Sequence, residues 1–345
     1  MSTHDELQAT IGRIVEPGKG ILAADESTPT ITKRFEATGI ATTEDNRRAY
    51  RSLLFTAPRA ADYLAGVILF EETLKHRADD GTLLPELLMR AGIMPGIKVD
   101  KGTVALPNAP GDLITQGLDG LGERLDGYKA QGARFAKWRE VYAITDRNPT
   151  PLGISANAEV LARYAAICQE HGIVPIVEPE VLLDGAHTLE RCSDVSEAVL
   201  EAVFRALHRH RVALEHIVLK PSMVLPGKKS GANADADTVA AATLRVLRRC
   251  VPGAVPTINF LSGGQTSEEA SANLNAMNVQ DPHAPWVLSF SFSRALQDTA
   301  MRTWAGRGEN AAAAQQAFSR RLELNSLARQ GKYRAEMEQQ ARAAA

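Results

Sequence analysis

Along the 345-residue chain the apolar pattern switches repeatedly between continuous runs and helical spacing. Short runs rich in apolar and β-branched residues recur at KGILAAD (19–25), LAGVILFEE (64–72), MPGIKVD (94–100) and ARFAKWRE (133–140). They continue at GIVPIVEPE (172–180), HIVLKPS (216–222), VPTINFLSGG (255–264) and PWVLSFSFSR (285–294). Helical stretches lie between most of them. NAEVLARYAAICQEHG (157–172) keeps apolar residues on one face and stops at a glycine, and SDVSEAVLEAVFRALHRHRV (193–212) opens on a Ser or Asp cap. Eight strand–helix alternations predict an α/β fold, the (β/α)8 TIM barrel.

No Pro/Gly/Ser-rich linker interrupts the series and no internal repeat is evident, so residues 1–345 are expected to form a single barrel domain. A further helix is expected from Glu309 to about Arg329, ended near Gly331. Residues 332–345 are polar and Ala-rich and are expected to form a mobile tail.

Composition narrows the function. Hydrophobic residues make up 44% and charged residues 23%, which suits a globular chain with an ample core. The 39 basic and 41 acidic residues leave a net charge of −2, so no overall basic field calls for nucleic acid. No apolar run approaches the roughly 20 residues of a membrane span. Three cysteines without paired spacing fit a reducing compartment, and the polar N-terminus lacks the apolar core of a signal peptide. A cytoplasmic protein is expected.

In such barrels the C-terminal ends of the strands face the active site. Read in order, these ends carry Asp25 and Ser27, Glu71 and Glu72, Lys98 and Asp100, Lys137 and Arg139, and Glu178 and Glu180. Lys220, Ser262, Gly263 and Gly264, then Ser291 and Arg294, complete the series. Lys220 sits inside a buried-strand pattern and precedes a proline. A buried ammonium is costly unless it is paired or gives up its proton. Neighbouring positive charge and partial desolvation lower an ammonium pKa, so one of the strand-end lysines is a candidate nucleophile toward a carbonyl. Taken singly, each lysine reads first as the partner of a strand-end carboxylate such as Asp25 or Glu178; it is the three together that point to a nucleophile. The Gly-Gly turn of FLSGGQT and the guanidinium of Arg294 follow the seventh and eighth strands, where barrels often bind phosphate. None of the eight histidines pairs at helical spacing with supporting ligands, so no metal site and no cofactor are expected. Trp138 and Trp286 read as packing residues.

The strings KGILAADEST, KRFEATGI, PGIKVDKG, FAKWR, IVEPE, LKPSM, FLSGGQ and SFSFSRALQ, in this order over nearly the whole chain, resemble the class I fructose-1,6-bisphosphate aldolases. The resemblance implies a lyase of glycolysis and gluconeogenesis that splits fructose 1,6-bisphosphate into dihydroxyacetone phosphate and glyceraldehyde 3-phosphate. It assigns the Schiff base to Lys220, acid/base work to Glu178 with Glu180 tuning charge, and hydroxyl deprotonation to Asp25. To Lys137 it gives positive charge beside the breaking bond and help in depressing the nucleophile's pKa. Ser262, Gly263, Gly264, Ser291 and Arg294 are implied to bind one phosphate and Ser27, Arg34 and Lys98 the other end of the sugar phosphate, with Arg47 and Arg139 as additions. A homotetramer is also implied. Three positions depart from the family pattern: Ser222 where many relatives carry Asn, Ser293 where many carry Gly, and Pro29 where Gly is common. The last tyrosine is Tyr333, whereas relatives often end in one. Another Schiff-base sugar-phosphate lyase and an idle phosphometabolite-binding barrel are the competing readings.

Overall fold

The computed structural model describes residues 2–343, with side chains through 339. Eight parallel strands close a barrel: β1 (Gly20–Ala24), β2 (Leu64–Leu69), β3 (Met94–Lys98), β4 (Phe135–Tyr142), β5 (Val174–Val181), β6 (Val218–Leu219), β7 (Thr257–Phe260) and β8 (Val287–Phe292). Each strand pairs with the next, and β8 returns to β1 through Ile21 opposite Ser291. Helices Pro151–Glu170, Leu189–Arg209, Ala236–Cys250 and Ser267–Gln280 cover successive outer faces. The (β/α)8 expectation is met. The helix expected from Glu309 runs Ala311–Arg329 after a short 3₁₀ turn, Gly308–Asn310.

Side chains alternate along each strand, and this parity builds the site. Outward residues such as Trp138, Val177, Leu219 and Phe260 join the core under the helices. Inward residues Ile21, Ala23, Ile68, Met94, Phe135, Val174, Ile176 and Val218 fill the lower barrel. Leu7, Ile11 and Ile14 of the helix Thr3–Ile14 pack against that layer and plug its N-terminal end. Phe135 needs the space left by two glycines: a Cβ on Gly66 would lie 2.7 Å from its ring and one on Gly96 only 2.1 Å away. Two residues up β1, β4, β5 and β6 from this layer, the inward positions become Asp25, Lys137, Glu178 and Lys220, and on β3 Lys98 stands four residues above Met94.

One element has no counterpart in the sequence pattern. Between β3 and β4 an antiparallel hairpin, Thr103–Ala105 with Leu113–Thr115, folds against the outside of β4. It covers Glu140, an outward strand residue with no exposed surface, whose carboxylate accepts from Trp138 Nε1 at 2.8 Å and from the Thr115 amide at 3.3 Å. Burial outweighs these bonds and pushes the Glu140 carboxyl up to about 8.

Tyr333 is buried. Its hydroxyl donates to Glu338 at 2.9 Å, and Glu338 also accepts from Arg321 at 2.6 Å. Arg321 Nη2 reaches Ser271 Oγ at 2.6 Å on the helix that follows β7. A last helix spans Glu336–Ala343. The end of the expected tail, residues 344–345, lies outside the described residues.

Candidate active site

The C-terminal mouth of the barrel opens into a pocket of about 480 Å³, a volume suited to a small metabolite. Asp25, Ser27, Arg34, Lys98, Lys137, Arg139, Glu178, Glu180, Lys220, Ser262, Gly263, Ser291 and Arg294 line it, so strand parity brings nearly every sequence-predicted site residue together.

Its centre is a line of alternating charge. Lys220 Nζ lies 3.3 Å from Glu178 Oε1, Glu178 Oε2 lies 3.2 Å from Lys137 Nζ, and Lys137 Nζ lies 2.7 Å from Asp25 Oδ2. All four groups are more than 90% buried. Backbone pairing fixes the spacing, since Lys98 and Lys137 are in register and the Lys220 amide donates to Val177 O at 2.8 Å. Burial is the largest single influence on Asp25 and opposes its charge, yet Lys137, Lys220 and Lys98 together hold its carboxyl far below the usual range. For Lys137 burial again opposes the charge, and Asp25 and Glu178 overcome it, raising the ammonium above the ordinary lysine value. Lys137 is therefore locked as a cation, the opposite of the lowered pKa that a nucleophile needs. Burial pushes the Glu180 carboxyl up, against the pull of Arg139, whose Nη1 is 3.0 Å away.

The rim supplies groups for anions. Gly263 and Gly264 have φ of +54° and +84°, a left-handed pair that only glycine adopts at low cost. The loop leads directly into Thr266, which caps the helix Ser267–Gln280. Ser291 Oγ is buried beside the loop and has no hydrogen-bond partner among the described residues. Across the mouth, Ser27 Oγ lies 3.1 Å from Thr30 Oγ1 and Lys98 Nζ 3.2 Å from Asp100 Oδ1.

Some expected residues are placed differently. Arg34 lines the pocket but is held by Glu26 and, at 2.9 Å, by Asp298. Arg47 does not reach the pocket; its Nε donates to Glu72 Oε2 at 2.9 Å. Glu72, Glu44 and His76 bring ligand atoms within 4.8 Å of one another, but Glu72 is already committed to Arg47. Ser293, where many relatives carry Gly, turns its hydroxyl to Glu26 Oε1 at 2.8 Å. Ser222 donates to Val181 O at 2.8 Å and ties β6 to β5. Pro29 occupies the first turn of the helix Thr28–Ala37, where its missing N–H costs nothing.

Sequence reasoning gave no role to Glu26, Lys33 or Thr30, which also line the pocket. Glu26 is buried because Arg34 and Arg51 converge on it from two helices. Its only sequence signal was its place beside Asp25. Lys33 was legible only as the neighbour of Arg34.

A closed parallel barrel whose C-terminal mouth holds a buried lysine–carboxylate line between rims of serine, glycine-turn and basic groups defines a barrel enzyme of the lysine-centred kind, acting on small anionic substrates. The family model "Glycolytic: Fructose-bisphosphate aldolase class-I" matches residues 6–345, and the chain belongs to that family. It is 54% identical over 330 residues to the cytosolic fructose-bisphosphate aldolase 6 of Arabidopsis thaliana, spanning 96% of this chain and 92% of the relative. It is likewise 54% identical to fructose-bisphosphate aldolase C-A of Danio rerio, over 95% of this chain and 90% of that one. A solved fructose-bisphosphate aldolase of Plasmodium falciparum, in complex with TRAP and a small-molecule inhibitor, superposes with a TM-score of 0.95. It has 49% identity and 96% coverage of both chains.

Proposed function

We propose that this chain reversibly cleaves fructose 1,6-bisphosphate into dihydroxyacetone phosphate and glyceraldehyde 3-phosphate, with Lys220 as the Schiff-base lysine. The observation that carries this reading is the unbroken line from Lys220 through Glu178 and Lys137 to Asp25, at 3.3, 3.2 and 2.7 Å.

Lys220 Nζ adds to the C2 carbonyl of the ketose. Glu178, in contact with Lys220, gives a proton to the carbinolamine hydroxyl, which leaves as water, and an iminium remains. Asp25 takes the C4 hydroxyl proton as the C3–C4 bond breaks. The bonding electron pair moves into the iminium to form an enamine, and the aldehyde is released. Lys137, locked as a cation against Asp25, offsets negative charge developing on the C4 oxygen. Protonation at C3 and hydrolysis of the imine release the ketone product and restore the amine. Glu180, paired with Arg139, sets the charge beside Glu178. Ser262, Gly263, Gly264, Ser291 and Arg294 hold one phosphate; Ser27, Arg34 and Lys98, with Arg139 nearby, serve the other end. For Arg34 to do so, it must share its guanidinium with Glu26 and Asp298.

Borohydride added with dihydroxyacetone phosphate reduces the imine to a stable amine, and peptide mapping is expected to place the label on Lys220. Label on Lys137 or Lys98, or no label, overturns the assignment. Because the iminium is the electron sink, turnover is expected to survive a chelator; loss restored by a divalent metal would contradict this mechanism.

We place the chain in the cytosol, as the names of its plant relatives state for those proteins. We also propose a homotetramer, to be checked by sedimentation equilibrium.

A further inference from the structure

The rim of the Ser262–Gly264 loop carries a second cation that the reading above does not use. A Cβ built on Gly264 would lie 2.5 Å from Lys228 Nζ and 3.2 Å from Arg294 Nη2. The two cationic nitrogens thus converge over one glycine, within about 6 Å of each other, where like charges repel unless an anion lies between them. Both side chains are exposed, and neither has a carboxylate partner among the described residues. Water alone gives no reason for them to converge; an anion of two negative charges does.

The backbone also aims Lys228 at this point. Its own amide donates to Leu183 O at 2.8 Å, and those of Gly227 and Lys229 donate to His187 O at 2.8 Å and Gly185 O at 3.0 Å. Gly227 is pressed so closely on Gly185 that a Cβ would lie 2.3 Å from the Gly185 carbonyl oxygen. The loop that follows β6 is therefore fastened to the loop that follows β5, and Lys228 is anchored at its root beside the glycine turn.

We infer that Lys228 is a further substrate-binding residue, a second cation that closes over the phosphate group held by Arg294, Ser291 and the 262–264 turn. The inference rests on the reading of that turn as a phosphate subsite. Arg294 presents a planar fork and Lys228 a mobile point charge, so the pair neutralises a phosphate dianion from two directions. Lys228 touches no reacting atom; its contribution is to affinity and to phosphate selectivity.

The test compares Lys228→Ala, Lys228→Arg and Arg294→Ala by the KM and kcat of fructose 1,6-bisphosphate cleavage and by competitive inhibition with inorganic phosphate. Lys228→Ala is expected to raise KM and the phosphate inhibition constant together, about five- to tenfold, while kcat stays within about twofold. Lys228→Arg is expected to restore both constants, a rescue that a merely structural lysine would not require to track charge. If Arg294→Ala weakens both constants and Lys228→Ala changes neither, the inference falls and the phosphate subsite stands. If Arg294→Ala also changes neither, the subsite reading itself falls, and the inference with it.

Discussion

Lys137 Nζ stands 2.7 Å from Asp25 Oδ2, and this contact sets the charge of both groups. It favours an ionised Asp25 and a protonated Lys137, as their proposed roles of base and electrostatic clamp require. The proposed division of labour follows from contacts: among the described residues Lys137 is shared by two carboxylates, whereas Lys220 is ion-paired with Glu178 alone.

Replacing Lys137 by Met leaves Asp25 and Glu178 buried without their shared cation. Breaking a buried pair in this way costs about 3–5 kcal/mol, so urea unfolding should show a loss of that order. Turnover should fall by at least about a hundredfold. The depressed Asp25 carboxyl adds stability that is present above its unfolded pKa, about 4, and is lost as the pH falls below it. Lys137→Met should therefore flatten the acid limb of the stability profile. Unchanged turnover would remove Lys137 from the mechanism.

Glu140 behaves in the opposite sense. Its folded carboxyl is raised from 4.5 to about 8, so the folded state binds more protons across that interval and loses stability as the pH rises through it. Glu140→Gln keeps an oxygen for Trp138 Nε1 and carries no charge. Melting temperatures measured from pH 5 to pH 8.5 should show the variant gaining on the parent as the pH increases. A constant difference between the two would mean that Glu140 is already ionised in the folded protein.

Gly96→Ala forces a methyl group against the Phe135 ring, 2.1 Å from the nearest ring carbon. Overpacking of this kind costs about 1–3 kcal/mol, and a rigid barrel interior places it at the upper end. Pairing the change with Phe135→Leu should recover part of the loss, giving a coupling of about 1 kcal/mol in a double-mutant cycle. Strict additivity would show that the two sites relieve strain independently.

Truncation after Tyr333 removes Glu338 and leaves the buried Arg321 without its carboxylate. Thermal melting should fall by several degrees, while proton return from Glu178 and water should keep bisphosphate turnover within about tenfold. A larger loss of turnover, with hydrogen exchange of dihydroxyacetone phosphate impaired, would give the tail a part in the reaction.

Strand positions and the buried charges were legible because both follow from period-two parity: once Phe135 faces inward, Lys137 and Arg139 must face the same way. The hairpin at 103–115 was not, since its first strand is exposed along its length and carries no periodic signal. Arg47 lies in the helix Glu44–Phe55 and read as an anion ligand, but its partner, Glu72, comes from a 3₁₀ turn beyond β2. Only folding brings the two together. Lys228 belongs to a GKKSG run that reads as solvated charge, and nothing local reveals that its root is fastened to another loop.

The helix Thr3–Ile14 has a consequence for the order of events. By packing Leu7, Ile11 and Ile14 under the lower barrel, it leaves the C-terminal mouth as the opening of the site among the described residues. Substrate and both products must use the same doorway, so departures queue. The aldehyde fragment is untethered once the carbon–carbon bond is broken and can leave first. In the proposed mechanism the ketone fragment stays fastened to Lys220 until water follows the same path inward, which makes an empty doorway the condition for the second release.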